Sequence, residues 1–94
     1  MTPKQPVDMA KVELLRKHML IRASDLAMLC GVSRVTYYSW LSGKAIRPKN
    51  ADKLKRVVRK LIAAMQQGGW PSAEVTGLDN DTRFKRLLAL LEQY

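Results

Sequence analysis

Between Ser33 and Ser42 the chain sets Arg34, Val35, Thr36, Tyr38 and Ser39 where one short helix would turn them outward, while Val32, Tyr37 and Trp40 fall on the opposite side at the spacing of a core-facing stripe. The outward group is suited to one kind of chemistry. A guanidinium such as that of Arg34 grips guanine O6 and N7 with two hydrogen bonds, and Val35 with the Thr36 methyl offers apolar contact to a thymine methyl; a good bidentate pair discriminates by about 1–3 kcal/mol. Nothing in the chain has the pattern of a catalyst. It lacks a nucleophile and base pair, paired carboxylates, a phosphate-cradling glycine loop and metal-ligand spacing, which argues against an enzyme and against any cofactor.

Those outward residues need elements to hold them. Met1 to Val7, with Pro3 and Pro6, reads as a flexible lead-in, and Asp8 as the cap of a first helix reaching about Met19, with Val12, Leu15 and Met19 along its core stripe. A second short helix is expected over Ser24 to Cys30, with Leu26, Ala27 and Cys30 on one face. Gly31 suits the corner beyond it, because glycine enters the left-handed region without a steric penalty. Ser33 caps a third helix, Arg34 to Leu41, which ends at Ser42-Gly43. Small Ala27 lies where the second and third helices would touch, and Gly31 where the chain must turn tightly, as a helix-turn-helix requires.

Asn50 is expected to cap a long fourth helix to about Gln67, with an apolar stripe of Leu54, Val57, Val58, Leu61, Ile62 and Met65. Gly68-Gly69 stops it and an irregular connector follows to Asn80. A last helix, Asp81 to Gln93, carries Phe84, Leu87, Leu88 and Leu91 on one side. The expected organisation is a lead-in at 1–7, a helix-turn-helix domain at 8–67, a connector at 68–80 and a C-terminal helix at 81–94, five helices and no strand.

The 94 residues are room for one domain, and 17 Lys and Arg against 8 Asp and Glu give a net charge of +9 that attracts polyanions. Nucleic acid is the first candidate and an anionic membrane surface the second. Cys30 is alone, so it forms no internal disulfide and suits a reducing cytoplasm as a small buried apolar residue. No stretch has the length of a membrane span or the pattern of a signal peptide, so a soluble, unexported, cytoplasmic protein associated with the bacterial nucleoid is expected. His18 has no acid, cysteine or second histidine at relay or ligand spacing and reads as a surface or boundary residue.

The pattern Leu-Ala-x-x-x-Gly-Val-Ser-x-x-Thr-Tyr-x-x-Trp-x-x-Gly-Lys, with Pro48 opening the next helix, resembles the phage-repressor helix-turn-helix family of Cro/XRE type. The resemblance runs from about Val12 to Met65. It implies an all-α, lambda-repressor-like DNA-binding domain, with base-edge contacts at Arg34, Val35, Thr36 and Ser39. It also implies phosphate contacts at Ser42, Lys44 and Arg47, assisted by the amino end of the second helix. Tyr38 and Ser33 join the phosphate set by their place on the third helix, and Lys49 and Lys53 by theirs near the groove. At Ala23 the family usually has a phosphate-touching glutamine, for which Arg22 or Ser24 is the substitute. At Leu41 many members have a glutamate paired with the arginine matching Arg16, so Arg16 is expected to lack that partner and to be a surface cation or a phosphate ligand.

The resemblance implies duplex DNA as the partner and two recognition helices about 34 Å apart when a dimer sits on a palindromic site. Two readings stand for the last helix: a lid on the monomer core, or a dimer seam formed by Phe84, Leu87, Leu88 and Leu91, the seam being preferred. The function expected is a transcriptional regulator, a repressor among the possibilities, or a DNA accessory factor of phage or plasmid type. The alternative is an antitoxin-like or adaptor protein that grips a protein partner through its C-terminal helix.

Overall fold

The helices start and stop at short-range signals. In the computed structural model, which describes residues 7–94, α1 spans Met9–His18, and the Asp8 carboxylate accepts hydrogen bonds from the backbone N–H of Ala10 at 3.1 Å and Lys11 at 3.3 Å. The lead-in expected over Met1 to Pro6 lies outside the described residues. Val7, expected in the lead-in, is half-buried against the core. Arg16, Lys17 and His18 occupy the last turn of α1, where cations complement the helix dipole.

Three successive helices end in the same way. After α1, α2 (Ala23–Leu29) and α3 (Arg34–Leu41), the next residue but one enters the left-handed region, at Leu20 (φ 60°), Gly31 (φ 71°) and Gly43 (φ 101°). Each stop carries the paired bonds of a Schellman cap. At the corner between α2 and α3, the Val32 N–H donates to the Ala27 carbonyl and the Gly31 N–H to the Met28 carbonyl, both at 3.0 Å. Leu20 is the position where this geometry meets a side chain, and the left-handed region costs a non-glycine residue roughly 1–2 kcal/mol.

Several expected boundaries move. α2 begins at Ala23 because Arg22 has the extended backbone of an N-cap. α4 spans Pro48–Gln67, so Asn50 is not its cap: Pro48 takes the first helical turn, where its missing N–H costs nothing and its φ is already set. The segment expected to be an irregular connector holds a short helix, α5 (Ala73–Thr76), which brings the described helices to six. α6 runs Asn80–Leu91 with Asp79 as its cap, accepting from the Thr82 N–H at 3.1 Å.

One core joins all of these elements. Met19, Leu26, Tyr37, Leu54 and Leu61 are fully buried together with Trp40, Trp70, Val75, Leu87 and Leu91. Trp70 is tied in by more than its apolar surface, since its indole N–H donates to the Met19 carbonyl at 2.8 Å. Arg83 secures the turn after α5: its guanidinium donates to the carbonyls of Val75 at 3.0 Å, Thr76 at 3.1 Å and Leu78 at 2.6 Å. The Thr76 carbonyl is one of the acceptors that the end of α5 leaves without an intrahelical partner. Among the described residues every buried side-chain nitrogen and oxygen has a hydrogen-bond partner.

Candidate nucleic-acid interface

The third helix is held from behind by a charged network that reaches α1. Tyr37, fully buried, donates its hydroxyl to Glu13 Oε2 at 2.7 Å. Arg16 donates to the same carboxylate through Nη2 at 2.8 Å and to the Ile21 carbonyl through Nη1 at 2.9 Å. Arg16 is therefore not the unpartnered cation expected; Glu13, one turn earlier on α1, supplies the carboxylate that Leu41 does not. The Arg16 guanidinium holds the Glu13 carboxyl below its ordinary range, with the Tyr37 hydrogen bond adding to the effect against the cost of burial. Burial, then the bond to Glu13, pushes the Tyr37 phenol far up, so it stays a donor. Tyr37 also meets Trp40 edge-on at 6.1 Å between ring centroids, which fixes the inner face of α3 in aromatic packing.

The outer face is correspondingly open. Val35 is 77% exposed and Tyr38 49%, Arg34 is exposed, and Thr36 and Ser39 are half-buried at the edge of the face. An apolar side chain as bare as Val35 contributes nothing to the core. Ser33 caps α3, its Oγ accepting from the Thr36 N–H at 3.1 Å and donating to Thr36 Oγ1 at 3.0 Å. Ser39 Oγ donates to the Thr36 carbonyl at 2.6 Å and Ser42 Oγ to the Tyr38 carbonyl at 3.0 Å. The hydroxyls along α3 are thus oriented by the helix itself, with lone pairs left to accept.

Between α3 and the loop that follows it lies a depression of about 390 Å³, lined by Thr36, Ser39, Trp40, Lys44, Arg47 and Asn50. It brings two residues of the expected base-contact group together with two of the expected phosphate group. Asn50 is the residue sequence reasoning missed here, because its type and position suggested a helix cap; with α4 starting at Pro48, it lines this depression instead. Lys49 is exposed on the first turn of α4, and Lys53 is half-buried with Nζ beside Gly31, 3.8 Å from where a Cβ would stand.

The two residues proposed to replace a glutamine at Ala23 differ. Ser24 is half-buried in the first turn of α2. Arg22 is already engaged: its guanidinium clasps buried Asp25 at 2.7 and 3.1 Å and reaches Asp81 of α6 at 2.8 Å. The clasp joins the amino ends of α2 and α6. Cys30 is buried, and burial pushes its thiol up to about 11.

The C-terminal helix divides its apolar residues. Leu87 and Leu91 are buried in the chain's own core and Phe84 is half-buried against it. Leu88 alone of the set is exposed, at 38%. Among the described residues, no helix is long and apolar enough to cross a membrane, and no group of three or more His, Cys, Asp or Glu is placed to hold a metal ion.

No curated protein and no solved structure matches the chain. A family model described as helix-turn-helix matches residues 12–61, more than half of the sequence, covering the whole of α2 and α3 and most of α1 and α4. With a glycine corner between α2 and α3, a braced inner face and a bare outer one, the chain belongs to the helix-turn-helix family of DNA-binding regulators of Cro/XRE type.

Proposed function

We propose that the chain reads the sequence of duplex DNA by laying the outer face of α3 in the major groove. Arg34, Val35, Thr36 and Ser39 meet base edges in this reading. Ser33, Tyr38, Ser42, Lys44, Arg47, Lys49 and Lys53 meet phosphates on either side, with Ser24 at the amino end of α2. Arg22 joins the phosphate set only by exchanging a carboxylate for a phosphate. The observation that carries the reading is the bareness of Val35 on a helix whose opposite face is locked by Tyr37 and Trp40. The protein acts without a cofactor or catalysis, as a transcriptional regulator or accessory factor of phage or plasmid type in the cytoplasm.

Two copies bind a palindromic site with half-sites about 34 Å apart. A chain of net charge +9 repels its own copy, so pairing is strongest on DNA, where phosphates neutralise both. The test is selection of bound duplexes from a random pool, followed by titration of the recovered site with the Arg34→Ala and Thr36→Ala variants. The reading requires a defined two-fold motif and a loss confined to particular base pairs; an equal loss on every sequence, or none, overturns it.

A second reading, in which the C-terminal helix engages a protein partner, is favoured by Leu88, exposed beside an apolar groove.

A further inference from the structure

We propose that the groove between α4 and α6 is a docking site for an acidic amphipathic helix of another protein. The proposal rests on the second reading above and uses no residue of α3; of the groove's residues, Lys53 is also in the phosphate set. The groove encloses about 450 Å³ over a floor of Leu29, Val57, Leu88 and Leu91. Lys53, Arg56 and Lys60 stand along its α4 side, against a single carboxylate, Glu92, on the α6 side.

Its shape follows from helix periodicity. Lys53, Arg56, Val57 and Lys60 recur at i, i+3, i+4 and i+7, one stripe about 10 Å long at 1.5 Å per residue, and Leu88 and Leu91 of α6 with Glu92 at its C-cap repeat the first part of that spacing. Two facing helical stripes with an apolar floor form the trough into which a third helix lays its own i, i+3, i+4, i+7 anchors. Charge then selects the occupant. Three cations against one carboxylate complement a helix with leucines on one side and flanking Asp or Glu. They disfavour a second copy of this chain, which in a two-fold contact would set the same cations against themselves.

The probe is a fluorescein-labelled peptide of about fifteen residues, long enough to hold a helix, with leucines at i, i+3, i+4 and i+7 and glutamates flanking them. Controls are a scrambled peptide of the same composition and one with lysine in place of glutamate. Anisotropy with the full chain is expected to give micromolar binding of the acidic helix, at least about tenfold tighter than either control. Leu88→Glu and Lys60→Glu should each weaken it by about tenfold or more while leaving duplex binding unchanged. Lys60 is exposed, so that variant carries the test if Leu88→Glu fails to fold. Equal binding of the scrambled peptide, or full binding by the Lys60→Glu variant, overturns the proposal. So does a dimer in sedimentation that Leu88→Glu disperses. Loss of duplex binding by Arg34→Ala with peptide binding intact bears only on the reading of α3.

Discussion

Tyr37 on α3 and Glu13 on α1 share a hydrogen bond of 2.7 Å, which makes the first helix a strut for the one proposed to face DNA. The bond converges on a carboxylate already paired with Arg16. Tyr37→Phe keeps the ring and its packing but removes the donor, and should lower stability by about 1 kcal/mol. For a domain of this size that corresponds to a fall of roughly 4–8 °C in melting temperature. Glu13→Ala should cost more, since it leaves donors on two side chains, Arg16 and Tyr37, without their acceptor. Thermal unfolding followed by circular dichroism measures both.

The same carboxylate gives the strut a pH dependence. Arg16 holds the folded-state value of Glu13 below its ordinary 4.5, so folding favours the ionised form. Stabilisation is fully present above that ordinary range and is lost as pH falls through the lower folded value. Stability measured by urea unfolding should therefore drop on acidification below about pH 5. Glu13→Gln should flatten part of that drop.

Base and phosphate contacts should separate in their salt behaviour. Arg34→Ala is expected to cost about 1–3 kcal/mol on the selected site and to relax preference at one base pair. Lys44→Ala should weaken binding evenly across sequences and reduce the salt slope by about 1. Titrations at several salt concentrations on matched and mismatched duplexes distinguish them.

A left-handed helix stop that lacks a glycine and one that has a glycine should respond differently. Gly31→Val places a β-branched residue at φ 71° and should destabilise by about 1–2 kcal/mol. Leu20→Gly relieves the strain at φ 60°, offset by the loss of a side chain that is 38% exposed, and should be neutral or stabilising by up to about 1 kcal/mol. Chemical denaturation midpoints decide.

Because Leu87 and Leu91 belong to the common core, Leu87→Ala should cost about 2–5 kcal/mol. Deleting 81–94 should unfold the helix-turn-helix as well. A truncated chain with a native circular dichroism spectrum and melt would contradict this.

The parts of the molecule legible from sequence were those governed by neighbours in the chain. Ser33, Ser42 and Gly43 bound α3 because a side-chain cap and a left-handed glycine act within a few residues. Arg34, Val35 and Tyr38 were readable as outward from periodicity alone. α5 was not legible, because four residues make no helix unaided; Val75 in the core and Arg83, gathering carbonyls from three residues, hold it. The partner of Arg16 was hidden because the carboxylate sits on its own helix while the third member, Tyr37, lies 24 residues from Glu13. Asn50 was misread because two signals competed for the start of α4, and the proline, set in its torsion, prevailed over the side-chain cap.

Trp40 lies on α3 and Trp70 beyond the end of α4, and both indoles are shielded from solvent, at 5% and 6% exposure, within a single apolar cluster. The molecule thereby carries native optical gauges on α3 and on the segment that follows α4. Emission from either one alone, with the other replaced by phenylalanine, reveals whether those portions melt in concert without any attached dye.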